Sequence, residues 1–403
     1  MGQVVTLSNL SRREHIVVLA TLVVCQIGLH INMHGMRVAI PLEALAKGYS
    51  AFMVGFLVAM FAIVPALLAI AFGRFTDRCG YHLPVRLAAA LSLVAGLCLA
   101  MSDSLLALCI GAACSGAGSG FGMIAIQRTA SKMASSAATR LQIFSWIAIA
   151  PSLAGLIGPL LAGVMIDQFG YRQAFAILAI PPLVTLFLSQ RVPREELKKP
   201  LANGSAQPRR VADILRILPV RRLLFINWAV VASWDVHGFV VPILGHKRGF
   251  SATEVGAIFA AFGLASIVVR LLLPLFVSRL SRKYLLLASL GLAALSLFIY
   301  PFLELAWMIS ICAFSFGVAL GSVQPAILAT LHEVTPSERH GETLAVRSMF
   351  TQGSMLAMPL LYGAVGASLG AALLLWGMVA ALSAASWQVI RLYPRSVDLP
   401  SGE

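Results

Sequence analysis

Charge is what this sequence is short of. Asp, Glu, Lys and Arg make up 11% of its 403 residues, against roughly 25% in a soluble globular protein. That excludes a disordered chain, which is rich in charge and poor in apolar residues, and it excludes an ordinary cytosolic enzyme. The six cysteines (Cys25, Cys79, Cys98, Cys109, Cys114, Cys312) lie mostly inside apolar runs with no CxxC spacing. They read as small packing residues, not as a disulfide framework or metal ligands. No nucleophile–base pair, metal cluster or Gly-rich loop ending in Lys-Ser/Thr occurs, so neither an enzyme nor an ATP-driven pump is expected, and no cofactor. The glycines of 111–122 sit in an apolar run and read as close helix packing.

What the chain does have is apolar sequence: 59% hydrophobic residues and a mean hydropathy of +0.88. A bilayer-spanning helix needs about 20 apolar residues. Runs of that size fall near 16–42, 51–73, 84–102, 104–127, 141–166 and 172–190, then near 222–245, 252–278, 284–302, 305–331, 342–365 and 371–392. The expected fold is therefore all-α and polytopic, with twelve transmembrane helices. The one long polar stretch, 191–221, is rich in Arg and Lys with Pro, Gly, Asn and Ser. It reads as a linker with an interfacial helix near 211–218. Expected domains are 1–190, the basic linker 191–221, and 222–403.

The net charge of +14 reflects 30 Lys and Arg against 16 Asp and Glu, and such a surplus raises nucleic-acid binding. Position argues against it. If the N-terminus is inside, 23 of the 30 basic residues fall on the side of the termini, four on the other side (Lys47, Arg172, Lys247, Arg248), and three within spans. Positive-inside topology then places both termini in the cytoplasm. No small-residue cleavage site follows the first apolar run, which reads as a retained helix and not a signal peptide. The expected location is a plasma membrane, the inner membrane of a bacterium, with lipid around a monomer.

The chain also repeats itself. At an offset of 201, Pro41 falls on Pro242, Gly48 on Gly249, Ser50-Ala51 on Ser251-Ala252, Val54-Gly55 on Val255-Gly256, and Gly116 and Gly120 on Gly317 and Gly321. At an offset of 200, Pro159-Leu160-Leu161 and Gly163 fall on Pro359-Leu360-Leu361 and Gly363, and Gly170 on Gly370. Two pseudo-symmetric six-helix bundles follow. Parallel repeats of this kind place a site at their interface near the midplane, opened to each side in turn by rocking.

Specific motifs then point to a family. Gly73-Arg74-Phe75-Thr76-Asp77-Arg78-Cys79-Gly80 resembles the G-x-x-x-D-R-x-G signature of the major facilitator superfamily. Its second-half counterpart, Pro274 to Lys283, has Ser278 in place of the acid. Gly170-Tyr171-Arg172 with Phe175, and Pro336-Ser337-Glu338-Arg339-His340-Gly341, resemble further motifs of that family. The resemblance covers essentially the whole chain and implies a secondary transporter near the drug/metabolite–proton antiporter branch. Two departures stand out: Ala112 occupies the place of that branch's span 4 arginine, and Ala154 and Ala162 replace glycines in an otherwise recognisable span 5 motif (Gly155, Gly158-Pro159, Gly163). The resemblance also implies a conformational gate at Gly73, Asp77, Arg78 and Gly80, with Asp77 facing the start of span 11 near Gly341 and Glu342, and Arg128 beside it.

Polar residues inside spans are costly and normally face a cavity or a partner. Span 1 carries His30, His34 and Arg37 on one helical face, with Asn32 nearby. Span 7 carries Trp234, Asp235 and His237, with Asn227 one heptad earlier. The repeat sets Asp235 opposite His34, and Asp235 is the only acid in the middle of any span. It is the candidate proton carrier, or else the fixed partner of Arg37 or Arg270. Arg270 in span 8 and Arg347 in span 11 could clamp an anionic group, and Arg347 could instead pair with Glu338 or Glu342. Gln127, Gln142, Gln324 and Gln352 add uncharged hydrogen-bonding groups, and Trp146 an aromatic wall. Three arginines facing one acid favour an anionic or zwitterionic small molecule moved with protons, export favoured by the span 5 motif. Two alternatives stay open: a multidrug exporter of lipophilic cations anchored on Asp235, and a membrane receptor that binds without transport.

Overall fold

The computed structural model describes residues 4–5, 11–134, 137–195, 211–276, 281–335 and 339–393. Much of the linker, 196–210, and the loop residues 336–338, Glu338 among them, lie outside the described residues. The first half runs α1 (Arg12–Ala46), α2 (Ala51–Cys79), α3 (His82–Met101), α4 (Leu105–Met133), α5 (Ala137–Phe169), α6 (Tyr171–Leu178) and α7 (Ile180–Leu188). Pro181 and Pro182 interrupt the hydrogen-bond ladder between α6 and α7, which together cross as one span, Tyr171–Arg191. The short helix α8 (Val211–Arg216) falls where the interfacial helix is expected. The second half comprises α9 (Leu218–Arg248), α10 (Ala252–Phe276), α11 (Arg282–Ile299), α12 (Ala306–Val334), α13 (His340–Leu369) and α14 (Ala371–Leu392). Residues Val4–Val5 also pair in parallel with Arg194–Glu195.

Among the described residues, eleven spans are long and apolar enough to cross a membrane. The twelfth expected span is α13, whose 30 residues are ample in length at 1.5 Å each but are interrupted by Arg347, Thr351, Gln352 and Ser354. The start of α1, the end of α14 and α8 lie at one end of the bundle, here the termini face. The other end is the distal face.

Backbone geometry displays the repeat. Gly48 and Gly249 end their helices at φ 79° and 71°, and Gly170 and Gly370 both sit at φ 84°, where an L side chain would be strained. The same relation holds inside each half. A Cβ on Gly116 would stand 1.9 Å from the Phe61 carbonyl oxygen, and one on Gly317, 2.5 Å from that of Phe262. Each glycine lets α4 or α12 press against its neighbour, which is the packing read from the glycine-rich run. Asn32 staples the first half: its amide donates to the Leu178 carbonyl at 2.8 Å and to that of Ser92 at 3.4 Å, and it accepts from Ser115 at 2.7 Å.

The halves meet along two seams related by the repeat, α2 with α13 and α5 with α10. A Cβ on Gly55 would lie 2.3 Å from the Pro359 carbonyl oxygen, and one on Gly256, 2.4 Å from that of Pro159. Gly163 is as close to Ala252, and Gly263 packs on Gly155. The first three of these approaches lie toward the distal face, and that of Gly263 on Gly155 lies near mid-helix. Asp167, at the distal end of α5, closes that face further. It accepts the backbone N–H of Ala252 at 3.0 Å and of Thr253 at 2.7 Å, the first two residues of α10, whose N–H groups have no partner within their own helix. A Ser251–Glu254 capping box stands beside it.

Candidate functional site

One lobe lies between the halves, and a second adjoins it inside the second half. The first, about 170 Å³, is lined by His34, Arg37 and Val38 of α1, Pro151, Ser152, Gly155 and Pro159 of α5, Trp234, His237 and Gly238 of α9, and Phe259, Phe262, Gly263, Ser266 and Arg270 of α10. The second, about 220 Å³, lies between α9, α10, α12 and α13, with Asp235, Gln324, Leu320 and Met355 in its wall. Trp234, Ser266 and Arg270 line both. The first lobe therefore sits where the repeat predicts a site.

Arg37 turns inward. Its Nη2 lies 3.6 Å from Asp235 Oδ1, with the Arg37 side chain 13% exposed and that of Asp235 fully buried. Of the two partners left open for Asp235, the structure selects Arg37. The pair is loose. Asp235 Oδ1 has no hydrogen-bond partner, and Oδ2 accepts only from Ser354 at 3.4 Å.

Among the described residues, the other two arginines meet no acid. Arg270 donates to Ser152 Oγ at 2.7 Å and to the Ala148 carbonyl at 3.4 Å, reaching from α10 to α5 where the helices part toward the termini face. Arg347 donates to Asn227 Oδ1 at 2.8 Å and Gln324 Oε1 at 2.6 Å. It is thus turned into the bundle, away from Glu342, which pairs with Arg339. Neutral amide and hydroxyl oxygens orient both guanidiniums without cancelling their charge.

Not every candidate from the sequence reaches the lobes. His30 is buried with Nδ1 2.9 Å from the Gln26 carbonyl oxygen; only its neighbour His34, 6.2 Å away between ring centroids, lines the cavity. Gln127 and Trp146 line neither lobe. On α1 the chosen face reaches the lobe through His34 and Arg37 but not one turn earlier at His30, where a polar group escapes lipid against its own helix. At the expected gate, Arg128 Nε donates to Asp77 Oδ1 at 2.8 Å while the Asp77 side chain stays 68% exposed. Arg78 is exposed, no atom crowds Gly73, and Gly80 ends α2 at φ 74°. Asp77 is thus held within its own half, in keeping with halves that close on each other at the distal face. Sequence reasoning missed Ser152, Phe259, Phe262, Tyr300, Ser354 and Asp167. Of these, only Asp167, a charge three residues before Gly170, left a visible signal.

A family model described as Major Facilitator Superfamily matches residues 22–232 and again 223–403, one match for each half. The chain belongs to the major facilitator superfamily. Within it, the chain resembles the multidrug resistance protein MdtG of Dickeya zeae, 26% identical over 222 residues, and that of Yersinia enterocolitica, 26% identical over 229 residues. The chain spans about half the length of these curated relatives, 54% and 53%. Among solved structures, a bacterial homolog of the human lysosomal transporter Spinster, in an inward-facing and unoccupied conformation, superposes with a TM-score of 0.74. That match covers 95% of this chain and 97% of the other at 14% identity, which establishes the superfamily fold.

Proposed function

We propose that the protein is a secondary transporter of small organic anions, moved together with protons by alternating access, in a bacterial inner membrane with the termini face in the cytoplasm. The observation that carries this reading is the charge of the cavity: Arg37 and Arg270 line it, Arg347 stands behind Gln324 of its wall, and among the described residues only Arg37 of the three meets an acid. A buried guanidinium held only by neutral oxygens retains its capacity to bind a carboxylate, sulfonate or phosphate. The basic excess on the termini face supports the orientation, and with that orientation the seam closed at the distal face supports a cytoplasm-open state.

The loose Arg37–Asp235 pair suggests how the proton enters. A deprotonated Asp235 holds Arg37 and screens it. When Asp235 takes a proton, Arg37 is released to a substrate anion. When an anion draws Arg37 away first, the buried carboxylate left behind binds a proton, because burial without a cation is costly. Proton and anion favour each other's binding, so they travel in the same direction. On this reading an inward proton gradient would drive uptake, the opposite of the export that the span 5 motif favours.

The test is thermal unfolding of the purified protein with sulfonates, mono- and dicarboxylates and lipophilic cations. A ligand at 100 times its dissociation constant stabilises by about 2.7 kcal/mol. One class of anions should raise the melting temperature, and Arg270→Gln should weaken that effect at least about tenfold in concentration. The second reading, export of lipophilic cations anchored on Asp235, is favoured by the names of the relatives. Stabilisation by cations alone, lost in Asp235→Asn, would establish it instead.

A further inference from the structure

The first lobe is divided by chemistry. Toward the termini face stands Arg270; nearer the distal face stand a cluster of rings and, at about their depth, Arg37. Eight residues of α10 separate Phe262 from Arg270, about 12 Å of helix rise. Trp234 meets Phe262 edge-on at 4.4 Å between centroids. His237 sits among Phe259 at 5.1 Å, Phe262 at 5.3 Å and Phe316 at 5.4 Å. It is 3% exposed, yet it lines the lobe.

His237 also carries an unmet hydrogen bond. Its Nδ1 lies 3.0 Å from the Tyr300 hydroxyl, while its Nε2 is buried with no partner. The ring of neighbours decides which nitrogen carries the proton. If Tyr300 donates to Nδ1, one group is left over, the Nε2–H. If Nδ1–H donated to Tyr300, both the phenol hydrogen and the Nε2 lone pair would be stranded. The first arrangement leaves fewer orphans, so Nε2–H is a donor. An orphaned buried donor is costly, and a ligand acceptor would recover that cost. Size agrees as well: an apolar cavity of about 150 Å³ holds benzene, and this lobe measures about 170 Å³.

We infer that the first lobe is a subsite for an aromatic carboxylate that carries a hydrogen-bond acceptor on the ring end remote from its carboxylate. The carboxylate meets Arg270, the ring packs against Trp234, Phe259 and Phe262, and the acceptor takes the His237 Nε2–H. This inference rests on the anion reading and narrows it.

Binding of 4-hydroxybenzoate, benzoate, cyclohexanecarboxylate and succinate to the detergent-purified full chain tests it, read by calorimetry and thermal unfolding. The expected order of affinity is 4-hydroxybenzoate, then benzoate about tenfold weaker, then the two non-aromatic acids. His237→Phe should bring 4-hydroxybenzoate down to the level of benzoate. Tyr300→Phe, which leaves the rings in place but frees the His237 tautomer, should reduce the same preference. If all four acids bind alike and lose affinity in Arg270→Gln, the aromatic subsite is wrong and the anion reading stands. If none binds while lipophilic cations do, the anion reading itself falls, and the subsite with it.

Discussion

Asp235→Asn should abolish uphill transport while leaving substrate exchange. In proteoliposomes with an inward proton gradient, the variant should bring an anion only to equilibrium, whereas counterflow of labelled against unlabelled anion should continue at a rate within several-fold of the unaltered protein. The reason lies in the two acceptors that share Arg37. The substituted amide cannot take up or release a proton, so it leaves Arg37 permanently available to the anion and the gradient without a handle. The variant should also lose stability. Removing one member of a fully buried ion pair costs about 3–5 kcal/mol; since Arg37 touches the cavity, a loss of about 2 kcal/mol is expected. Adding Arg37→Gln should restore much of that loss, because neither charge is then stranded, while anion affinity falls. A double-mutant cycle on thermal stability reads this coupling directly. Uphill transport that survives Asp235→Asn would place the proton elsewhere.

Asp167→Asn should open the distal face. In the present state this carboxylate spans the two halves, accepting adjacent N–H groups at the start of α10. A negative charge at a helix N-terminus stabilises by about 0.3–1 kcal/mol when exposed, and hydrogen bonds to a charged acceptor add to it. About 1 kcal/mol for the exposed Asp167 is a fair magnitude, and that shifts the ratio of open to closed states about fivefold. The contact exists only when α5 and α10 meet distally, so its loss raises the free energy of one state and not of both. Spin labels at Ala46 and Lys247, exposed distal positions on opposite halves, in a background free of native cysteine, should show a longer-distance population growing in the variant. An unchanged distance distribution would show that the close glycine seams alone, Gly55 on Pro359 and Gly256 on Pro159, hold that face.

The sequence carried the architecture because a membrane leaves few ways to satisfy a backbone. Apolar runs of bilayer length translate directly into helices, and the alignment of Gly116 with Gly317 reflects a shared contact with Phe61 and Phe262. The cavity arginines were legible for a similar reason: a charge amid apolar residues must find a polar surround. What spacing on one helix could not give was the rotation of helices against one another. That is why Asp235 could be matched to Arg37 or Arg270 but not to one of them. It is also why His30 and Gln127 looked like cavity residues, although only His34 of that set lines a lobe. The aromatic wall was hidden because Phe259 and Phe262 look like any apolar residues of a span. Asp167 was hidden because a charge at a helix end normally reads as topology.

The central claim is that proton and organic anion move the same way through a cavity whose acid and arginine are paired. The most direct test uses liposomes containing only this protein and benzenesulfonate, which is ionised at any working pH and does not leak as a neutral acid. An inward proton gradient should drive benzenesulfonate uptake above its equilibrium level, with protein-free liposomes and Arg270→Gln as controls. If the same gradient instead expels preloaded benzenesulfonate, proton and anion exclude each other, and the proposed role of the Arg37–Asp235 pair is contradicted.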